Sequence, residues 1–199
     1  MKKLVHYIFL DIGLGTLNTH PSYLNNMKRL KQLTPSIKTE LWDESRLDDL
    51  VKKSYPNLLE FWNNFPSLFY KIDFGRYLIL AKYGGMYIDL DMKPLQPIDD
   101  LFKRNMVCSG FKERTGKTSF NNNIIYFKDK KINELLIDYA IYRYINNKMP
   151  SSWKRRRMLY TVGARMFHKF CSESKYNISS DLSNYFKDEQ TKSWLKVEV

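Results

Sequence analysis

The chain has 199 residues, of which 43% are hydrophobic and 15% are aromatic. That length suits one domain with a sizeable core, and the apolar content excludes a disordered chain. The formal net charge of +12 favours polyanions, anionic membranes or phosphate-bearing small molecules as partners. The two isolated cysteines, Cys108 and Cys171, exclude a disulfide framework and indicate a reducing compartment.

The N-terminal segment MKKLVHYIFLDIG carries two lysines and a short apolar run that stops at Asp11. Because it lacks a small-residue cleavage site, it predicts a first strand and not a signal peptide. No apolar stretch of the chain is long enough to span a bilayer. We therefore expect a cytoplasmic protein without a membrane anchor, and peripheral binding to an anionic membrane stays open.

Predicted strands and helices alternate along the chain. The first half contains strands at 3–10 and 36–42, and helices from Pro21 to about residue 33, from about residue 43, at 58–65, and from Ser67 to the Gly84-Gly85 turn. The second half contains strands at 106–111 and 123–127, a helix at 132–147, a basic run at 154–157 and a helix around 161–170. This order predicts a single α/β domain, residues 1–199, with a mostly parallel central sheet.

The stretch YGGMYIDLDM, residues 83–92, predicts a strand with two unlike faces. Met86 and its alternate neighbours would point to a core, whereas Tyr87, Asp89 and Asp91 would point the other way. Two carboxylates so close together repel one another, and partial burial strengthens the repulsion. A metal ion, a basic side chain or water must therefore lie between them.

The predicted helix before this strand carries a second ionic set. Asp73, Arg76 and Tyr77 are spaced i, i+3 and i+4, so they share one side. Taken alone, the pattern fits an internal Asp73–Arg76 ion pair on a solvated face. The Gly-Gly turn, however, can fold this set towards Asp89 and Asp91 at the carboxyl end of a sheet. Paired acids, an arginine and an aromatic ring suit a metal–diphosphate ligand.

Two other classes of function remain as alternatives. The first is a basic module without catalysis that binds nucleic acid or an anionic surface through the WKRRR run, residues 153–157. We interpret that run as a solvated cationic loop, because only Trp153 could stack on bases, and nucleic acid is not the expected partner. The second is a metal-dependent nucleotidyl or phosphoryl transferase, which also uses paired carboxylates.

Residues 71–102 (KIDFGRYLILAKYGGMYIDLDMKPLQPIDDLF) resemble a known family. They look like the DXD region of glycosyltransferases of the initiating α-1,6-mannosyltransferase and capsular polysaccharide synthesis type, which are related to the glucosyltransferase domains of large bacterial toxins. The shared pattern is an Asp-x-x-Arg-Tyr helix, a Gly-Gly turn and then Tyr-x-Asp-x-Asp. The resemblance implies a GT-A fold and metal-dependent, retaining transfer of a sugar from a UDP- or GDP-sugar donor to a hydroxyl acceptor.

The resemblance also implies roles for residues around the metal and the diphosphate. Asp91 would ligate Mn²⁺ or Mg²⁺ directly, and Asp89 would contact the ribose or donor sugar and reach the metal through water. Tyr87 would line the nucleotide. The segment KSWL near the C-terminus resembles the terminal Ser-Trp of the family. By that likeness Ser193 would complete the metal site and Trp194 would donate its indole N–H to the diphosphate.

The remaining implied roles concern the base and the donor sugar. Phe9, in a first strand similar to that of the family, would lie by the base. Asp73 would accept hydrogen bonds from sugar hydroxyls, and Arg76 would bind sugar or phosphate. In NNNIIYFKDKK, Asn122 best matches the asparagine that reaches the donor sugar, with Asn123 as the next match. The sequence does not single out any carboxylate as a covalent nucleophile. The expected mechanism is therefore attack by the acceptor hydroxyl on the face from which the diphosphate departs, with the leaving phosphate as the base.

Overall fold

The computed structural model describes residues 3–13, 15–150 and 152–189. The strands are β1 (Leu4–Ile8), β2 (Lys38–Trp42), β3 (Met86–Ile88), β4 (Met92–Pro94), β5 (Met106–Lys112), β6 (Thr118–Phe127) and β7 (Phe186–Asp188). The helices are α1 (Pro21–Leu33), α2 (Glu44–Ser54), α3 (Leu59–Asn63), α4 (Leu68–Tyr83), α5 (Lys130–Ile145), α6 (Lys154–Thr161) and α7 (Ala164–Glu173).

Within the described residues, five strands form a central sheet in the order β2-β1-β3-β6-β5. Strand β1 pairs in parallel with both β2 and β3, whereas β6 runs antiparallel to β3 and to β5. Four of these five strands therefore point the same way, which confirms the predicted α/β fold with a mostly parallel sheet. Strands β4 and β7 form a separate antiparallel ribbon just beyond the end of β3.

Helix α4 is the central helix of the fold, and eleven of its sixteen residues are buried. Its N-cap is Ser67, as predicted, but the Ser67 hydroxyl makes no capping bond; the Tyr70 N–H donates instead to the Ser67 carbonyl at 3.1 Å. The helix ends at Gly84, whose φ of +66° suits glycine. The tight turn that follows delivers the chain directly into β3.

The core lies on both faces of the sheet. Met86, Ile88 and Leu90 pack in one buried cluster, and Tyr87 packs in the other. The predicted alternation of faces is therefore confirmed. The regular strand, however, ends at Ile88, and Leu90 and Asp91 lie in a turn before β4. That turn redirects the chain at the point where the two aspartates stand.

The C-terminal part differs from its prediction in two respects. The basic run is not a loop, because Lys154–Arg157 form the first turn of α6, where the Arg157 N–H donates to the Trp153 carbonyl at 2.8 Å. Lysine and arginine are good helix formers, and solvated charge does not oppose a helix. The predicted helix around 161–170 is divided at Gly163 into the end of α6 and α7. Among the described residues, no helix combines the length and apolar character needed to cross a membrane.

Gly85 is held where a side chain does not fit. Its φ is +85°, and a Cβ there would lie 2.5 Å from the Leu4 carbonyl oxygen. We expect Gly85→Ala to lower the free energy of unfolding by about 2 kcal/mol or more, because backbone strain and a clash with β1 add together. Urea denaturation measures this loss.

Gly116 supplies the matched control for this substitution. Its φ is +78°, but a Cβ there would meet nothing within 4 Å. Gly116→Ala should therefore cost only about 1 kcal/mol, the strain of the backbone alone. Equal losses in the two variants would contradict the close approach of Gly85 to β1.

Candidate active site

A cleft of about 530 Å³ opens at the carboxyl ends of β1 and β3. In α/β folds this edge of the sheet is where ligands bind. The cleft brings together every predicted site residue that lies within the described part of the chain: Phe9, Asp73, Arg76, Tyr87, Asp89, Asp91, Asn122 and Asn123. Two further predicted residues, Ser193 and Trp194, lie outside the described residues.

Arg76 is the ionic centre of the cleft and is only 4% exposed. Its guanidinium lies 2.9 Å from Asp73 Oδ1 and 3.4 Å from Asp89 Oδ1. It also donates to the Asn122 carbonyl at 2.7 Å and lies over the Tyr87 ring at 4.6 Å. One buried cation thus joins α4 to the end of β3 and to β6. The alternative of an ion pair on a solvated helix face is therefore wrong.

Asp73 sits in a network that reaches the corner between α6 and α7. The Asn122 side-chain amide donates to Asp73 Oδ1 at 2.9 Å and to the Tyr77 hydroxyl at 3.2 Å. The Tyr77 hydroxyl donates in turn to the Val162 carbonyl at 2.8 Å. A Cβ on Gly163 would lie 2.8 Å from Asp73 Oδ2. Glycine at this corner therefore leaves room for the carboxylate.

Asp89 is held from two sides. The Tyr87 hydroxyl donates to Asp89 Oδ1 at 2.6 Å, and the Asp89 N–H donates to the Asn123 carbonyl at 2.7 Å. The Asn123 side chain is engaged elsewhere: it accepts from the Ser109 hydroxyl and its amide contacts the sulfur of Met92. Of the two predicted asparagines, Asn122 is therefore the one whose side chain joins the ionic network.

The electrostatics of the cleft follow from burial. Burial raises the pKa of Asp73, with Arg76 and the Asn122 amide opposing the shift. Burial likewise raises the pKa of Asp89, against Arg76 and the Tyr87 hydroxyl. For Arg76, burial lowers the pKa, but Tyr87, Asp89 and Asp73 outweigh it and raise the pKa overall. The guanidinium therefore remains charged, and its charge stabilises the ionised forms of Asp73 and Asp89.

Sequence reasoning missed an aromatic wall at the start of α1. His20 and Tyr23 line the cleft with their rings stacked at a centroid distance of 4.9 Å and an interplanar angle of 15°. Phe9 lies 5.7 Å from the His20 ring. The sequence predicts only that a helix begins at Pro21. Because this helix follows the first strand and its turn, the side chains at its start could have been expected at the same edge of the sheet.

Asp188 is a second residue that sequence reasoning missed. It lines the cleft because β7 pairs with β4 in a register that sets Asp188 opposite Met92. The Glu189 N–H then donates to the Asp91 carbonyl at 3.0 Å. No local sequence pattern in this segment reveals its pairing with β4. A third carboxylate therefore joins Asp89 and Asp91 at the cleft.

The acidic side chains of the cleft suit a hard divalent cation, since carboxylate oxygens are the ligands that Mg²⁺ and Mn²⁺ prefer. Among the described residues, however, no three histidine, cysteine or acidic side chains are grouped closely enough to hold a metal by themselves. Mg²⁺ is usually bound by one or two carboxylates together with substrate phosphates. The residues present thus fit a cation shared with a ligand.

Comparison with known proteins agrees with this geometry. The family described as "Glycosyltransferase sugar-binding region containing DXD motif" matches residues 21–108. A glycosyltransferase of Acanthamoeba polyphaga mimivirus is 26% identical over 184 residues, which cover 91% of this chain and 69% of that protein. The initiation-specific alpha-1,6-mannosyltransferase of Candida albicans is 27% identical over 108 residues, 53% of this chain and 28% of that protein.

Solved structures agree on the fold. The PaToxG glycosyltransferase superposes with a TM-score of 0.60 at 16% identity, over 87% of this chain and 69% of that chain. The catalytic domain of Clostridium novyi alpha-toxin gives a TM-score of 0.51 at 9% identity, over 98% of this chain and 79% of that chain. The predicted GT-A fold is confirmed.

The fold is the one that these glycosyltransferase structures share. Residues 21–108 match the family model of a sugar-binding region that contains a DXD motif, as the resemblance of residues 71–102 predicted. The match to the Candida mannosyltransferase spans less than a third of that protein's length, so the donor and acceptor of this chain are matters for proposal.

The dependence of both carboxylates on Arg76 can be tested by Arg76→Met. Removing the cation leaves Asp73 and Asp89 buried without a counter-charge, and we expect a loss of about 3–5 kcal/mol in the free energy of unfolding at neutral pH. The folded-state pKa of both carboxyls then rises further above its unfolded value. The folded variant consequently binds more protons, and its stability increases as pH falls through the raised pKa.

Urea denaturation of the variant and the parent at neutral and acidic pH measures this effect. Arg46→Met is the control, because Arg46 pairs with Glu40 at 2.9 Å in a half-exposed setting, and such a pair is worth about 1 kcal/mol or less. The loss of stability in Arg76→Met should shrink by several kcal/mol in acid, whereas the loss in Arg46→Met can change by no more than about 1 kcal/mol. A loss of unfolding free energy in Arg76→Met that does not change with pH would contradict the assignment of Arg76 as the counter-charge of Asp73 and Asp89.

Proposed function

We propose that this glycosyltransferase moves a sugar from a nucleoside diphosphate donor, a UDP- or GDP-sugar, to the hydroxyl of a glycan or other acceptor, with retention of configuration. The observation that carries the proposal is the Asp73–Arg76–Asp89 cluster at the base of a cleft that also contains Asp91. Sugar hydroxyls need fixed carboxylate acceptors, and a leaving diphosphate needs nearby positive charge. The cluster offers both within a few ångströms.

The walls of the cleft suggest where the parts of the donor lie. The aromatic wall of Phe9, His20 and Tyr23 offers flat faces for the base. Asp73 and Asn122, tied to each other and buried, offer acceptors and donors for the sugar. The acidic residues of the turn after β3 line the same cleft. The diphosphate that joins the base end to the sugar end of a donor would come within reach of Asp91.

A divalent cation, Mn²⁺ or Mg²⁺, would be held there by Asp91, with Asp89 and Asp188 as the neighbouring carboxylates. When bound, it would supply Lewis-acid neutralisation of the charge that develops on the departing diphosphate. The Tyr87 hydroxyl and the Arg76 guanidinium already contact Asp89, which is consistent with Asp89 reaching the cation through water, as the family resemblance implies.

The reaction requires three events at the sugar. The bond between its anomeric carbon and the diphosphate oxygen breaks, the acceptor oxygen bonds to that carbon, and the acceptor proton passes to the leaving phosphate. The Arg76 guanidinium remains charged and stabilises the negative charge at the floor of the cleft. Asp73 and Asp89 both already interact with Arg76, so we assign neither of them as a covalent nucleophile. Attack on the face that the diphosphate leaves is the mechanism we favour.

A screen of nucleotide sugars tests the proposal. We expect manganese-dependent hydrolysis of at least one UDP- or GDP-sugar, and a rise in melting temperature with nucleoside diphosphate that a chelator abolishes. Asp91→Asn should lower turnover about a hundredfold or more, because a metal ligand contributes several kcal/mol to the transition state. Asp188→Asn should weaken the apparent metal affinity by about 10–100-fold.

Asp181→Asn is the matched control. It removes the same charge seven positions before Asp188, on an exposed residue that does not line the cleft. This variant should keep its activity and its metal affinity. A melting-temperature shift that needs no metal, and that persists in Asp91→Asn, would contradict the metal site.

The C-terminal segment carries a separate proposal. Glu189, the last described residue, is bonded through its N–H to the carbonyl of Asp91 at the cleft. We therefore extend the site to Ser193 and Trp194, as the family resemblance implies. Deleting residues 190–199 should leave a folded protein with strongly reduced donor turnover, and Trp194→Phe should lose part of the activity. Full turnover by the truncated protein would exclude a role for this segment.

A further inference from the structure

A group of apolar side chains is exposed where α5 ends and α6 begins. On the last turns of α5, Tyr142 is 60% exposed and Ile145 is 68% exposed. Trp153, the N-cap of α6, is 48% exposed. Burial of such large side chains is favourable, so their exposure together indicates a surface that meets something other than water.

These three residues flank the short connection between α5 and α6. The guanidinium of Arg157, in the first turn of α6, lies 5.6 Å from the ring of Tyr144, in the last turn of α5. The start of α6 therefore packs beside the end of α5. We call the surface formed by Tyr142, Ile145, Lys148, Trp153, Lys154 and Arg156 the basic-aromatic edge.

The charge of this edge has a single sign. Residues 142–157 contain six lysines and arginines and no acidic residue. Lys148, Lys154 and Arg156 are exposed, and the Arg156 guanidinium lies over the Trp153 ring at 5.0 Å. An aromatic ring with an apolar body and a polar end, surrounded by cations, is typical of a boundary between an apolar phase and water.

Charge complementarity favours one of three possible partners, which are a protein, a single-stranded nucleic acid and an anionic phospholipid bilayer. A protein interface places few lysines near its centre, whereas lysines here flank the apolar side chains. Single-stranded nucleic acid needs successive flat rings for stacking. Ile145, the most exposed large apolar side chain in the described part of the chain, cannot stack. Anionic phospholipid offers both of the features that the edge requires. Its phosphates carry the charge that binds the cations, and its acyl boundary accepts the apolar side chains.

We propose that the basic-aromatic edge docks on a bilayer that carries anionic phospholipids. Tyr142, Ile145 and Trp153 enter the headgroup region, and Lys148, Lys154 and Arg156 bind lipid phosphates. Docking here also orients the cleft, because Met158 and Leu159 line it only four and five residues beyond Lys154, about 6–8 Å along α6. The inference does not rest on the proposed sugar transfer, because lipid binding can be measured without any donor.

Co-sedimentation with vesicles tests the docking. The full chain should bind vesicles of equimolar phosphatidylcholine and phosphatidylserine, bind phosphatidylcholine vesicles far more weakly, and lose affinity as salt is raised. The triple variant Lys148→Gln, Lys154→Gln, Arg156→Gln should bind about a hundredfold more weakly, at roughly fivefold for each basic residue removed. The pair Ile145→Ser and Trp153→Ser should lose about tenfold.

Matched controls separate this edge from general charge and general apolarity. Arg114→Gln, Lys117→Gln and Lys175→Gln remove three exposed cations elsewhere, and Leu95→Ser removes an exposed apolar residue directly after β4. Both controls should bind vesicles like the parent, and thermal unfolding should show all variants folded. Equal losses in the control triple, equal binding to neutral vesicles, or tighter binding to single-stranded RNA that the edge variants abolish would each overturn the proposal.

Discussion

The buried guanidinium of Arg76 is the constraint on which the cleft depends. It is charged and almost inaccessible to water, so it must keep every acceptor that offsets its desolvation. Those acceptors come from three places in the chain: Asp73 on its own helix, Asp89 after β3, and the carbonyl of Asn122 on β6. Displacing any one of them leaves charge unpaired at low dielectric. The cleft floor is therefore held in one arrangement before a ligand arrives.

The same interaction explains why an acidic cleft suits a basic protein. Four carboxylates, Asp73, Asp89, Asp91 and Asp188, line a cleft to which Arg76 contributes one cation, while the chain as a whole carries +12. The outer charge attracts phosphate-bearing ligands over a distance. The acidic floor would repel their diphosphate unless a cation came with it. A basic exterior and an acidic floor together are thus consistent with a ligand that is itself a metal–diphosphate complex.

Much of the site was predictable because it is encoded locally. The i, i+3 spacing of Asp73 and Arg76, the Gly-Gly turn and the alternation around Tyr87 each depend on neighbours in sequence. Asp188 was not predictable, because its place depends on a β4–β7 pairing between segments about ninety residues apart. The burial of the ion pair was missed for a similar reason, since spacing on a helix does not reveal what packs over it. In this chain β6 and the corner between α6 and α7 cover it.

Helix α6 connects features that the sequence presents separately. Its first turn carries the basic-aromatic edge, its last turns line the cleft, and the corner that follows bonds Tyr77 through Val162 and approaches Asp73 at Gly163. Because these contacts are buried and closely packed, the edge and the cleft belong to one rigid region. A bilayer bound at the edge would therefore set the direction in which the cleft opens.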